Sequence, residues 1–447
     1  MLRVKRGLIA LALVGAAFVV GVAGWKLANL AANLRVTGEL DALKRQGHPV
    51  ALAELAPQAV PAENNAATFL KMAQPEVTAL DKQVLAVVDE ESSVDQDAFF
   101  FGRVNDTILQ AMRTALAEHP ETVPALIEAS HMTAYDPQLD LTDAKSVFDG
   151  VQSAMLSAQA TIRVLRYHAL VQLADQQFEP ALDTCLAMFR LIRLYQQQPT
   201  VANYVMTLAA RGTAIQLTNR ILRSGPVGDA PRASLDAELT QHDLVRDCRV
   251  ALGQERAVGV ARFQERIANP HPSQSAWFGT ITYQQLHYLE LIQAMIDVVD
   301  RPYADAAARQ KVLDLYQQSG AATKEFAPAV QTVQQSTLLT LTHLRALRVL
   351  NAIQRREAQG IQDTPQVTDL GLPAEVIVDP YNSNSLILKR VPQGWVIYAV
   401  GIKLQDGGGQ NLGEYKHQDI GLEPVDLPRP HESPAPDSSE STEPEPL

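Results

Sequence analysis

The sequence predicts a mainly α-helical protein, with an N-terminal transmembrane helix, an irregular α-helical array and a small antiparallel β module at the C-terminus. Three observations carry that expectation. An uncharged stretch runs from Gly7 to Trp25. Apolar residues recur at spacings of three and four through much of the chain between Thr142 and Ala358. After residue 365 the pattern changes to short apolar runs rich in β-branched and aromatic residues and separated by turn residues.

Composition sets the outer limits. A chain of 447 residues suggests two or three domains, and a hydrophobic content of 46% is enough to bury a sizeable core. Aromatic residues are scarce, while Ala and Leu are abundant, which favours helix over sheet. The 50 acidic residues outnumber the 38 basic ones for a net charge of −12, so nucleic acid is a poor partner. Cys185 and Cys248 have neither a metal-site nor a thioredoxin-like spacing. They read either as a disulfide in an oxidising compartment or as two small buried hydrophobes.

The anchor comes first in the chain. Arg3, Lys5 and Arg6 precede the Gly7–Trp25 stretch. At about 1.5 Å per residue that stretch matches a bilayer core of roughly 30 Å. Trp25 and Lys26 suit the far interface. A cleavable signal peptide is the rival reading, with a small-residue site at Val22-Ala23-Gly24. Its apolar region would be shorter than this one, so an uncleaved anchor is preferred. The basic residues before the span place the N-terminus inside, although Lys26, Arg35, Lys44 and Arg45 follow it. The expected location is therefore the inner membrane, single-pass, with the bulk on the periplasmic or extracytoplasmic side.

The expected organisation is an anchor over residues 1–26, a stalk over 27–60, a helical domain over 61–360, a β module over 361–423 and a disordered tail over 424–447. In the stalk, Leu27, Leu30, Leu34, Leu40 and Leu43 recur among polar residues until Pro57 and Pro61. Glu63 to Gln74 predicts a short helix started at Asn64 or Asn65 and stopped by Pro75. The acidic run at residues 89–97 lacks the glycine and terminal glutamate of a calcium loop and reads as a solvated loop.

From Thr142 or Asp143, Val147, Val151, Met155, Ala158, Ile162, Leu165, Ala169 and Leu173 make one apolar stripe. Pro180 suits the first turn of the next helix, which carries Leu182, Leu186, Phe189, Ile192 and Tyr195. This pair is similar to one tetratricopeptide-type hairpin, with Ala174 and Ala181 as small contact residues, but no 34-residue period continues around it. Further helices are expected at about 201–223, 233–267, 280–299, 305–318 and 328–358, punctuated by Gly225-Pro226, Pro270-His271-Pro272 and Gly320. Arg355 and Arg356 complement the last helix dipole, and Gly360 fits the residue just past its end.

Val376-Ile377-Val378, Leu386-Ile387-Leu388 and Trp395 to Val400 are the expected strands, separated by Asp379-Pro380, Asn382-Ser383-Asn384 and Gln393-Gly394. Residues 424–447 are rich in Pro, Ser and Glu and lack the apolar periodicity needed to offset ordering entropy.

No nucleophile elbow, zinc-protease helix, phosphate loop or dinucleotide fingerprint is present in the sequence. His168 and His343 lie singly on helices and read as packing or surface residues. In Gly253-Gln254-Glu255-Arg256-Ala257, Glu255 and Arg256 are adjacent, so they do not face each other and each should pair with another element. The functional reading of Glu255 is a carboxylate at work in a groove.

The segment from Asp379 to Ile420 reads DPYNSNSLILKR, WVIYAVG, QDGGG and QDI in order. It resembles the C-terminal module of type II secretion major pseudopilins. It resembles still more closely a C-terminal pattern in uncharacterised, membrane-anchored helical proteins of planctomycete-like bacteria. That second resemblance extends to Asn64-Asn65-Ala66-Ala67 and to the Gly253–Ala257 segment. The pseudopilin resemblance implies a calcium site in the Gly-rich loop, with Asp406 and Asp419 at the acidic positions. Lys403 and Ala399 depart from the pattern, which expects an acid and a serine there. The competing reading is a structural turn, with Gly407, Gly408 and Gly409 serving backbone freedom and Asp379 and Pro380 forming a capped turn. The N-terminus has no pilin-type cleavage site.

The function expected from these features is that of a non-enzymatic, membrane-anchored envelope protein with a scaffold or protein-interaction role and an unidentified protein partner. Two alternatives stand beside it. One is an envelope hydrolase with a site assembled from distant helices, and the other is an accessory protein of a secretion apparatus.

Overall fold

The computed structural model describes residues 2–57, 60–90, 104–269, 278–361, 365–409, 412 and 419–424, with the side chains of 2–18, 278–280 and 330–331 outside that description. Expectations for the acidic run beyond Glu90, for Pro270-His271-Pro272 and for the tail after Pro424 fall outside these residues.

The first helix, α1 (Leu2–Arg45), runs without a break from the expected anchor into the expected stalk but stops well short of the stalk's expected end at residue 60. It ends with Lys44 and Arg45 at its C-terminal turn and with Gly47 at φ +77°, where a glycine reverses the chain cheaply. Its C-terminal half is packed in the body: Ala32, Val36 and Leu43 are buried, on the side that meets α10 (Phe278–Val298). The other side is apolar and open, with Leu27 and Leu34 each 67% exposed. Among the described residues no helix is long and apolar enough to cross a membrane. Residues 7–18, most of the expected span, have no described side chains.

Helix α2 (Ala66–Glu90) corrects the expected stop at Pro75, because the proline lies inside it. Proline forfeits one backbone hydrogen bond and crowds the preceding turn. Beyond it the helix buries Val77, Leu80, Val84 and Val88, and the buried Asp81 receives both Nε and Nη2 of Arg163 and the hydroxyl of Tyr167. That burial and pairing outweigh the local defect. The start fits the sequence: Asn65 Oδ1 accepts the amides of Ala67 and Asp136.

Helices α3 (Asp106–Glu118) and α4 (Thr122–Ser130) pack on α2. Next come α5 (Ala144–Ala174) and α6 (Phe178–Tyr195), joined through residues 175–177 into a tight helical hairpin. Asp143 caps α5 by accepting the amide of Ser146 at 2.8 Å. The apolar stripe of α5 is buried in the array apart from the half-buried Met155, as are Ala181, Leu182, Leu186, Phe189 and Ile192 of α6.

Helix α7 (Val201–Ser224) follows. The expected helix over 233–267 is two, α8 (Asp229–Leu239) and α9 (Leu244–Ala268), and Asp243 starts the second by capping Arg246. The apolar period continues across that join because both helices bury leucines, Leu235 and Leu239 before it and Leu244 after it, so periodicity alone hides the break. After α10 come α11 (Ala306–Gln318), the short α12 (Ala321–Phe326) and α13 (Val330–Ala358). Past α13, Gly360 adopts φ +80° and Ile361 bonds back to the Arg356 carbonyl.

The sheet is antiparallel, in the order β1 (Ile387–Val391), β2 (Gly394–Ala399) and β3 (Ile420–Leu422). Ile387 pairs with Tyr398, and Ile397 pairs with Leu422. The expected strand at Val376–Val378 is instead a helical turn, α14 (Ala374–Ile377), opened by Pro373. Proline ahead of a turn presets helical geometry, and only Val378 keeps a bridge, to Ser385.

Strand β2 is buried on both faces. Trp395, Ile397 and Ala399 join the main helical core, while Val396 and Tyr398 pack with Leu412 on the opposite side. The sheet thus rests on α13 and shares a continuous core with the helices. Polar bonds reinforce the seam: Arg223 donates to the Trp395 carbonyl at 2.8 Å, and Glu357 accepts from the Trp395 indole at 3.0 Å.

Candidate functional site

Three places bear on the sequence-derived candidates. The first is the Gly253–Ala257 turn of α9. Glu255 Oε2 accepts the backbone amide of Val201 at 2.8 Å, at the first residue of α7. A carboxylate at a helix N-terminus satisfies an orphan donor and complements the dipole. Burial raises the Glu255 pKa, and the Val201 hydrogen bond opposes that rise. The neighbouring Thr200 is held at φ +90°, and its hydroxyl caps the same helix through the amide of Asn203. Arg256 turns the other way, toward Gln293 Oε1 of α10 at 3.2 Å, and burial lowers its pKa. It lines a groove with Glu39 of α1, Glu290 and Asp297 of α10 and Lys311 of α11. Glu255 and Arg256 therefore serve different elements.

The second place is the C-terminal loop. Asp379 is buried, with Oδ1 on the amide of Tyr381 at 2.7 Å and Oδ2 on the amide of Val400 at 2.9 Å. It caps its own turn and ties that turn to the end of β2. The next carbonyls, of Pro380 and Tyr381, accept the amides of Tyr303 and Ala304 and so dock the turn on the loop before α11. Asp419 is buried as well, and its two oxygens accept the amides of Gly407 at 3.0 Å and Gly409 at 2.7 Å. Asp406 accepts the Tyr398 hydroxyl at 3.0 Å and the Gly408 amide at 2.8 Å.

Calcium requires six to eight oxygens around one point. Here the glycine loop aims N–H donors at both carboxylates, and the Gly408 carbonyl accepts Lys389 Nζ at 2.6 Å. No group of three or more His, Cys, Asp or Glu able to hold a metal occurs among the described residues. Among the described residues, both oxygens of Asp419 and one of Asp406 are taken up by hydrogen-bond donors. The glycines have a structural reason instead: Gly408 and Gly409 sit at φ +81° and +68°, and a Cβ on Gly409 would lie 2.7 Å from the Tyr398 ring.

The third place escaped sequence reasoning. Arg211 of α7 is buried and donates through Nε to His242 Nδ1 at 3.1 Å and through Nη2 to Asp247 at 3.3 Å. His242 Nε2 faces Glu238 at 3.5 Å, and Glu238 also meets Arg190 and Arg193 of α6. Because Nδ1 accepts, the neutral ring carries its proton on Nε2. Burial pushes the His242 pKa down to about 4. The ring has no solvent access, so the cluster holds four helices and a turn together rather than presenting a base to a substrate. Its members come from α6, α7, α8, α9 and the turn between the last two, with no common spacing for a sequence pattern to reveal.

Cys185 and Cys248 are both free and buried thiols, with pKa values pushed up by burial to about 12 and about 11. They behave as small hydrophobes rather than nucleophiles.

Comparison with known proteins decides nothing further. No family model, curated protein or solved structure matches this chain.

Proposed function

We propose that this is a membrane-anchored envelope protein that acts by holding a helical body, with a protein-interaction role, at the outer side of an inner membrane. The observation that supports it is the two-sided character of α1. Ala32, Val36 and Leu43 fasten the helix into the body, while Val19, Val20, Trp25, Leu27, Leu30 and Leu34 remain exposed on the same continuous helix. Exposed apolar surface on this scale marks a membrane or partner contact. Fixing the lever to the body would set the orientation of the Arg256 groove relative to the bilayer. The non-enzymatic reading draws on carboxylates singled out by sequence, since Asp379 and Asp419 spend both oxygens, and Glu255 one, on backbone amides.

The test is alkaline carbonate extraction of native membranes, followed by crosslinking of the full chain. The full chain should stay with the membranes, a version lacking Gly7 to Trp25 should be released, and crosslinks should enter a defined partner. Release of the full chain by carbonate would overturn the anchor. Crosslinks that stay unchanged when Glu39, Glu290 and Asp297 are replaced would overturn the role of the groove.

A further inference from the structure

Helix α1 carries two apolar stripes. One is used by the body, where Ala32, Val36 and Leu43 are buried. The other consists of Val20, Leu27, Leu30 and Leu34, which are 71%, 67%, 56% and 67% exposed. At about 100° per residue, Leu30 and Leu34 stand roughly 160° around the axis from Ala32 and Val36, so the two stripes face opposite ways.

The open stripe has the spacing of a helix pair. Val20, Leu27 and Leu34 recur every seven residues, and Ala23, Leu30 and Thr37 fill the intervening places. None of these six residues is charged. Asp41 and Lys44 take the next two places, so the pattern stops where α1 ends. Gly24, Ala31 and Gly38 run alongside, again every seven residues. A Cβ on Gly24 or Gly38 would meet nothing within 4 Å, so a second helix can come close on that side.

Lipid does not account for the outer part of the stripe. The Gly7–Trp25 stretch already matches a bilayer core of roughly 30 Å. Leu34 lies about 14 Å farther along the helix than Trp25. Leu30 and Leu34 therefore stand above the hydrocarbon, where only a protein surface can take them out of water.

We infer that two copies of this chain pair in parallel along α1, with Val20, Leu27, Leu30 and Leu34 of each copy meeting their own counterparts. This rests on the anchored reading above: insertion in one membrane gives both helices the same direction and the same height, so identical residues come level. A two-fold pair needs a surface complementary to itself. An uncharged heptad stripe meets that need, because no like charges are brought together along it. Each body, fastened to the opposite side of its own α1, lies on the outside of the pair.

The test is disulfide crosslinking of the full chain in native membranes with copper phenanthroline. Cys185 and Cys248 stay in place because both are buried. Leu27→Cys, Leu30→Cys and Leu34→Cys should each form a homodimer at least fivefold more than Ala28→Cys, which is exposed but off the stripe. Adding Leu30→Lys and Leu34→Lys together should cut the dimer formed through Leu27→Cys at least fivefold. Thermal unfolding and carbonate resistance should not change, because both leucines are exposed in the single chain. No dimer at the three leucine positions, or an equal yield at Ala28→Cys, would overturn the pairing even where the chain resists carbonate. Crosslinks into a product of another mass would give the stripe to a different protein and overturn it as well. Release of the chain by carbonate with the dimers retained would sink the anchor alone.

Discussion

The carboxylate of Glu255 accepts the backbone amide of Val201 at 2.8 Å, joining the middle of α9 to the first residue of α7. Adjacent on the same helix, Arg256 reaches Gln293 of α10. One turn of α9 therefore anchors two neighbouring helices by different faces.

Glu255→Ala leaves the Val201 amide without its acceptor and should cost about 1–3 kcal/mol in urea unfolding. Glu255→Gln keeps a carbonyl acceptor and should cost less. The folded pKa of Glu255 is raised, so its contribution is full below the ordinary value of 4.5 and declines as pH rises through the folded pKa. The stability of Glu255→Gln relative to wild type should therefore improve from pH 4 to pH 7. A relative stability that is flat or falls over that range would refute the buried-carboxylate account.

His242 and His343 have their pKa values pushed from 6.5 down to about 4 by burial. Unfolded, both titrate near 6.5, so protons bind the unfolded chain more tightly. The stability they confer is complete above that value and is lost as pH falls through 4. Each can remove up to about 3 kcal/mol once fully protonated. His343→Gln should reduce the loss of stability between pH 7 and pH 4.5, as measured by thermal unfolding. Identical pH profiles for variant and wild type would contradict a buried neutral imidazole.

Asp379 and Asp419 each hold two backbone amides. Asp379→Ala strands the amides of Tyr381 and Val400 and should cost about 2–4 kcal/mol. Asp419→Ala frees the amides of Gly407 and Gly409, and limited proteolysis should then cut near Gly407 to Gly409 well before the rest of the chain. Equal cleavage rates in wild type and Asp419→Ala would show that another contact orders the loop.

Local chemistry was legible in the sequence. Asp143 caps α5 and Gly360 ends α13 because capping depends on residues within one turn of each other. The stripe from Val147 to Leu173 was legible because a helix repeats its buried face every three or four residues. The fork of Glu255 and Arg256 to separate elements follows from the same geometry, although neither partner could be named.

Contacts far apart in sequence decided the rest. Pro75 stays inside α2 because Asp81, Arg163 and Tyr167 meet beyond it. Val376 to Val378 has strand composition but lies at a proline-led turn. The Arg211–His242–Glu238 cluster arises from side chains on different elements, which no spacing rule connects. By itself the sequence determined most of the helices from α5 onward and that the C-terminus turns to sheet, since these depend on periodicity and on neighbours within a few residues, but it marked neither α3, α4 nor α12 and missed the break between α8 and α9. Only the tertiary structure decided which carboxylates are consumed by backbone amides and which charged groups are buried together, because those outcomes depend on desolvation and on groups brought together from distant parts of the chain.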